Sequence, residues 1–444
     1  MKKLLLITLI IVLSNALKIK AQVINTFEGG GSSYSNGVPA AISGVSPSRV
    51  LAADASGNIY FSANVIPSLE GFGICKINNS GILTEIAGGG TLTAEGSIAT
   101  GYDVGVCNGL AVDAAGNIYF SEQNTHKVKK ISTSGIVTTY VGTGAMGFAG
   151  DGGLAAAAKL NNPTGICIDA MGNLYIADSN NHRIRKVSTN GIITTVAGNG
   201  TGGVTGEGGP AILASMSVPE SVITDSSGNI YFCDAGYRVC KIAPSGTLTR
   251  IAGTGLIGFS GDGGPALSAQ ITPKAVAVDG YNNIYIADFM YNVVRKVNSM
   301  GIITTIAGQD GLSGFSGDGG HPLSALLSFP YGLLVTANCN LYITDQGNQR
   351  IRVITGSSCY VGIEEYQLAN HVSVSPNPSA SQFNFNGLVG ENIIQITDIT
   401  GSGLLMEKTY TENHTIKLDA AQGIYFYKII DKANRVQQGK LIIN

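Results

Sequence analysis

The sequence predicts an all-β chain, a ring of six four-stranded sheets followed by a small two-sheet sandwich. Three observations carry this. A turn asparagine recurs six times, at Asn58, Asn117, Asn173, Asn229, Asn283 and Asn340, with gaps of 59, 56, 56, 54 and 57 residues. Glycine is 61 of 444 residues, roughly twice its usual share, which suits many tight turns. After about residue 370 the repeat gives way to short alternating strands separated by turns. Hydrophobic residues make up 44% and charged residues 13%. That composition excludes disordered chains, polyelectrolytes and charged coiled coils.

The chain opens on a signal-peptide pattern, residues 1–21. Lys2 and Lys3 precede the apolar run Leu4 to Leu13, which is too short to span a bilayer. Cleavage is expected after Ala21 or Ala16. No later run is long enough for a membrane span, so the mature chain is expected to have no transmembrane segment. Losing Lys2, Lys3, Lys18 and Lys20 takes the formal net charge from −2 to −6. A mildly acidic chain without a basic stripe argues against nucleic acid as a partner.

Residues 22–357 hold the repeat. Strand a of each unit is a small apolar run, such as Ile166-Cys-Ile-Asp169. A turn Asp-x-x-Gly-Asn follows, whose Asp accepts backbone N–H bonds and whose Gly supplies positive φ. Strand b is Leu174-Tyr-Ile-Ala, strand c Arg183-Ile-Arg-Lys-Val187 and strand d Ile192-Ile-Thr-Thr-Val-Ala-Gly198. Four-stranded units of this period are propeller blades. The sixth unit has strands a, b and c but no d. Val23-Ile-Asn-Thr-Phe-Glu-Gly29 matches strand d and stands alone at the other end. The N-terminal strand is therefore expected to lie beside Arg350–Ile354 and close the ring, which removes exposed edges.

The repeats resemble the NHL family as found in bacterial secreted proteins. The residues that carry the resemblance are Pro163-Thr-Gly-Ile-Cys-Ile-Asp-Ala-Met-Gly-Asn-Leu-Tyr-Ile-Ala-Asp178 and Asn181-His-Arg-Ile-Arg-Lys-Val187. The first blade departs at Ala63–Gly73, and the fourth has a shortened b–c turn. The resemblance implies a six-bladed ring that serves as a binding platform. A minority of related propellers are metal-dependent lyases or lactonases.

Residues 358–370 read as a linker, and 371–444 as a small Ig-like β-sandwich. This segment closely resembles the C-terminal sorting domain of the type IX secretion system. Its marks are Ser375-Pro-Asn-Pro378, Gly423-Ile-Tyr-Phe-Tyr427 and the closing Gly439-Lys-Leu-Ile-Ile443. The resemblance implies a Gram-negative host, the type IX machinery as partner through residues 371–444, and a product that is secreted or attached to the outer surface.

Seven cysteines in an exported chain permit disulfides. Cys233 and Cys240 flank a short turn, and Cys339 and Cys359 flank the last hairpin of the repeat. These are the two candidate bridges, since connectivity cannot be read from spacing.

The d–a and b–c loops share one face of such a ring, and that face is expected to carry every long loop and the function. One variable position per blade lies just before strand a, at the channel mouth: Arg49, Asn108, Thr164, Glu220, Lys274 and Tyr331. Varied polar groups converging on a concavity make a binding site. Arg49 and Lys274 would meet an anionic ligand or pair with Glu220.

Asp151, Glu207, Asp262 and Asp318 recur in Gly-rich loops such as Gly258-Phe-Ser-Gly-Asp-Gly-Gly-Pro-Ala266. They read as turn formers, with calcium binding the alternative, since calcium needs several oxygens around one point. Phe289, Met290 and Tyr291 form an exposed apolar contact patch or pack beneath the next loop. No His stands on strand a (His126 and His182 lie near b–c turns, His321 in a long loop), and no nucleophile–base pair is visible. The expected function is a secreted or cell-surface binding protein for a protein or glycan, not an enzyme and without a required cofactor. The alternative is a metal-dependent lyase or lactonase-like hydrolase at the channel mouth.

Overall fold

The computed structural model describes residues 22–31, 36–64 and 72–356, together with 373–375, 379, 381–386, 388, 391–398, 403–431 and 436–443. The expected signal peptide, the linker 358–370, Cys359 and residues 376–378 of the Ser375-Pro-Asn-Pro378 mark lie outside the described residues. The chain divides into two units, Met1–Tyr360 and Val361–Asn444.

In the third blade the strands are a, Pro163–Ile168; b, Leu174–Asp178; c, Arg183–Val187; and d, Ile193–Ala197, hydrogen-bonded in that order. The a–b turn forms because Asp169 ties it together. Its Oδ1 accepts from the backbone N–H of Asn173 at 2.8 Å and of Met171 at 3.0 Å, and its Oδ2 from Asn173 Nδ2 and the Tyr175 hydroxyl. Burial pushes this carboxyl up, but the hydrogen bonds outweigh it and hold Asp169 below its ordinary range. Asp54, Asp113, Asp225 and Asp279 repeat the arrangement. Apolar residues of neighbouring blades meet between the sheets, as Ile184, Ala197 and Phe232 do between blades 3 and 4.

The ring closes as the end strands predict. Val23–Glu28 pairs antiparallel with Arg350–Thr355, Ile24 opposite Ile354 and Thr26 opposite Arg352. The six a strands (Ser46–Ala53, Cys107–Val112, Pro163–Ile168, Pro219–Thr224, Pro273–Val278 and Pro330–Val335) pack each against the next, and the last against the first.

The Gly-rich insertions do not stand up on the loop face, which corrects the expectation that this face carries every long loop. Each runs down the outer edge of strand d of the following blade. Gly152 N–H donates to Ile193 O at 2.8 Å, and Ile193 N–H to Gly153 O at 3.0 Å. Gly319 N–H donates to Ile24 O, and Ile24 N–H to Gly320 O, so the N-terminal strand is held on both edges. Open edge groups that would template aggregation are thus paired.

The recurring acids are anchors more than turn formers. Asp151 accepts from Arg185 at 2.7 Å and from the Thr195 hydroxyl at 2.6 Å. Asp262 pairs with Arg295, Asp318 with Arg352 and the Thr26 hydroxyl, and Glu207 with Arg250. Thr26 thus performs in the ring-closing strand what Thr195 does in blade 3.

The Cys233–Cys240 bridge does not form. Cys233 stands opposite Val239, and Cys240 opposite Phe232. One residue out of register puts the two thiols on opposite faces of the sheet. Cys233 packs toward blade 5 and Cys240 toward blade 3, and both are free and buried. Cys75, Cys107 and Cys167 are also free and buried. Cys339 is disulfide-bonded; Cys359, its expected partner, falls outside the described residues.

The C-terminal unit has one sheet of Ser373–Ser375, Gln382–Asn386 and Asn413–Lys417, and a second in the order Gly403–Thr409, Asn392–Thr397, Gly423–Asp431 and Val436–Ile443. Alternate residues Ile394 and Ile396 turn inward with Phe383, Phe385, Ile416, Tyr427 and Leu441. That alternation is the mark of sheets with one buried face.

Candidate functional site

The six variable residues line one cavity of about 320 Å³ at the channel mouth. In five blades the mouth residue is the second residue of strand a rather than the one before it. The a–b register shifts at this point in every blade, as between Pro163 and Ile166 or Pro219 and Ser221. A bulge re-aims its side chain, so each blade turns its variable residue into the channel. The next residue is a glycine in blades 2, 3 and 6. A Cβ at Gly165 would fall 2.6 Å from Glu220 O, and one at Gly332 2.3 Å from Arg49 O. Only a bare backbone lets the blades converge this closely.

Lys274 Nζ donates to both Glu220 oxygens, at 2.6 and 2.8 Å. Burial works against the ammonium, but the Glu220 carboxylate outweighs it and raises Lys274 above its ordinary range. Arg49 Nη1 donates to Asn108 Oδ1 at 3.0 Å, and Asn108 Nδ2 donates to Gln123 Oε1. The Arg49 guanidinium lies over the Tyr331 ring, 5.4 Å from its centroid. Burial first, and then Glu220, pushes the Tyr331 hydroxyl up. Thr164 shares a 2.6 Å hydrogen bond with Ser179 and donates to Glu220 O. Gln123, Asn162 and Ser179 also line the cavity. Sequence reading missed them because they arrive from b–c turns and d–a loops, away from the repeat's strand a.

The histidines are occupied elsewhere. His182 Nδ1 accepts from Val218 N–H at 3.1 Å and His126 Nδ1 from Asn162 N–H, each stitching a b–c turn to the next blade. His321 Nδ1 accepts from Leu323 N–H within its own loop. Among the described residues, no group of three or more His, Cys, Asp or Glu side chains gathers as a metal site.

Phe289, Met290 and Tyr291 form a short turn of blade 5. Met290 is 52% exposed. Phe289 packs on Phe329 and Tyr331, and Tyr291 on Phe259. Both expectations for this turn thus hold in part: one side chain is open and its neighbours are packed.

Residues 145–203 match the family model of the teneurin NHL domain, and 373–444 that of the secretion system C-terminal sorting domain. Teneurin-1 of Gallus gallus is 30% identical over 319 residues, covering 63% of this chain and 12% of that protein. The chain thus spans about an eighth of the length of that relative. Among solved structures, an auxiliary nutrient binding protein from Bacteroides ovatus superposes with a TM-score of 0.54 at 14% identity, over 76% of both chains. One from Bacteroides thetaiotaomicron gives 0.52 at 16%, over 75% of this chain and 76% of that one. At such identities the likeness is one of fold.

Proposed function

We propose that this chain, an NHL-type propeller with a type IX secretion sorting domain and so secreted or held on the outer surface of a Gram-negative bacterium, is a binding protein that takes a protein or glycan ligand at the channel mouth. One observation carries this reading: six residues that differ from blade to blade, on a frame that repeats, all face a single cavity. Fold maintenance does not call for six different side chains at equivalent positions, whereas recognition does. The similar nutrient-binding propellers of Bacteroides fit a binding role. The enzyme alternative gains no support from the histidines, which are hydrogen-bonded between blades or within a loop.

The test is a screen of the purified protein against glycans and surface proteins, followed by titration of the Glu220→Ala and Thr164→Ala variants. Binding that changes in either variant supports the reading. A ligand that binds the wild type and both variants equally would refute it.

A further inference from the structure

We infer that the channel mouth recognises a carboxylate, with Arg49 as its partner, and that the ligand is a hexuronic-acid residue of a glycan. The inference rests on the binding role proposed above and narrows its chemistry.

Only three charged residues line the cavity: Arg49, Glu220 and Lys274. Glu220 and Lys274 neutralise one another through two short bonds. Among the described residues, Arg49 has no carboxylate within ion-pair distance. The site therefore carries one uncompensated positive charge. Its walls are largely aliphatic, Ala53, Val112, Ile168, Ile223 and Val276 among them. A low-dielectric channel of this kind focuses the field of a single charge at its opening.

The guanidinium is also held in orientation. Tyr331 lies beneath it, and Asn108, itself bonded to Gln123, fixes one edge. The remaining N–H donors form a planar fork, which matches a carboxylate in two parallel hydrogen bonds. A single cation suits a monoanion. A phosphate dianion would call for more, and a planar fork fits a carboxylate's two oxygens better than a tetrahedral oxyanion.

The rest of the ring selects what carries that carboxylate. Asn108, Gln123, Thr164, Ser179, Glu220 and Lys274 also line the opening, and together they offer both donors and acceptors, as a ring of hydroxyls requires. The cavity, about 320 Å³, sits at the lower end of small-molecule sites, roughly 300–1,000 Å³. That is room for a sugar residue rather than a protein loop.

The experiment is calorimetric titration of the full chain with galacturonic acid and its short oligomers, with galactose, and with a short peptide whose only charge is its C-terminal carboxylate. Galacturonate should bind, galactose at least tenfold more weakly, and added salt should weaken the uronate alone. Arg49→Gln should cost tenfold or more. Glu220→Gln should tighten uronate binding, because it frees the Lys274 charge. A merely structural lesion would not produce that gain. Equal binding of galactose and galacturonate, an Arg49→Gln variant with undiminished affinity, or a peptide acid preferred to the uronate would each overturn the inference. If a broader screen instead finds a neutral glycan whose binding depends on Thr164 or Glu220, this inference fails and the channel-mouth reading stands. If no glycan or protein binds at the mouth, both fall.

Discussion

Blades 3 and 4 share the same four strands and differ in how they hold the loop that covers their outer edge. In blade 3 the fully buried Arg185 bridges Asp178 at 3.2 Å and the loop's Asp151 at 2.7 Å. Phe148 lies over its guanidinium, 4.8 Å away. In blade 4 the equivalent strand-c position is Cys240. The loop acid Glu207 instead pairs with Arg250 on strand d, at 3.3 Å, with both side chains partly open to solvent. Asp234 keeps a partner in Arg238, 2.6 Å away. Both solutions leave the outer edge covered, since Gly208 and Gly209 bond Leu248 as Gly152 and Gly153 bond Ile193. The buried cation is therefore one way to pin the loop and not a condition of the blade. Once built, however, it cannot be removed alone.

That asymmetry sets the largest expected effect. Arg185→Leu leaves Asp178 buried without its cation and Asp151 held by the Thr195 hydroxyl without its ion pair. Breaking a buried pair from one side costs ~3–5 kcal/mol, read as a lowered urea midpoint. Cys240→Ala, at the same position in blade 4, removes only a small buried thiol and should cost under ~1.5 kcal/mol. Equal losses in the two blades would show that the cluster around Arg185 is not acting as a unit.

The ring-closing blade offers a second contrast. The inward position near the end of strand d is Ala87, Val141, Ala197, Ala252 and Ala307 in blades 1 to 5, all fully buried. In the N-terminal strand it is Glu28, equally buried. Glu28 Oε1 accepts from the Ser43 hydroxyl at 2.6 Å, while Oε2 is buried with no hydrogen-bond partner. Burial pushes this carboxyl up to about 8, against the pull of Ser43 and of the Arg350 charge. Cys75 and Glu85 of blade 1 also stand nearby, the Cys75 thiol raised by burial first and then by both acids. The folded state binds the Glu28 proton more tightly than the unfolded chain. Its contribution to stability is thus complete below about pH 4.5 and is lost as pH rises through about 8. Glu28→Gln should flatten that decline and add ~2–4 kcal/mol at pH 9, measured by thermal unfolding across pH. Protection of the Val23–Phe27 amides, measured against the base-catalysed intrinsic exchange rate, should fall at alkaline pH in the wild type and not in the variant. A wild-type profile flat from pH 5 to 9 would refute this account of the closure.

These contrasts also mark what was legible in sequence. The repeat of Asn58 to Asn340, the orphan strand Val23–Phe27 and the convergence of the six mouth residues all follow from period and topology, which a sequence displays directly. Strand register does not. Cys233 and Cys240 are seven residues apart, and whether such a pair faces across a hairpin turns on a single residue in the turn. The recurring Asp151, Asp262 and Asp318 were visible, but their partners Arg185, Arg295 and Arg352 lie 33 or 34 residues along the chain. Nothing local announces such a pairing. Glu28 could have been found by aligning the lone strand against its five counterparts, where an acid replaces Ala or Val.

Smaller effects are expected at the stitches between blades. His182 occupies left-handed backbone, φ 53°, and its ring accepts the Val218 N–H. Between blades 5 and 6 the same role falls to Asn292, φ 57°, whose Oδ1 accepts from Phe329 N–H at 2.9 Å. His182→Ala should cost ~1–2 kcal/mol, since it strands an amide and places a Cβ residue without a local bond at positive φ. His182→Asn should restore most of the loss, because asparagine tolerates this backbone and supplies the acceptor. If the asparagine variant melts with the alanine variant, the imidazole has a role beyond the hydrogen bond.

The smallest effect expected is the most telling about why the clip exists. Cys240→Arg, Arg250→Thr and Val204→Phe together would rebuild the blade 3 arrangement in blade 4, with Glu207→Asp completing the loop. A buried guanidinium pays a desolvation cost that its carboxylates roughly repay. In blade 3 the repayment is incomplete, since Arg185 Nε finds no partner. The fourfold variant should thus match the wild type within ~1 kcal/mol, while each single change, Cys240→Arg above all, destabilises. Near-equality would mean that the buried pair fixes the path of the loop at little net energy. A gain of several kcal/mol would mean instead that the clip is the source of the blade's stability, and blade 4 would then be the weak sector at which the ring first opens.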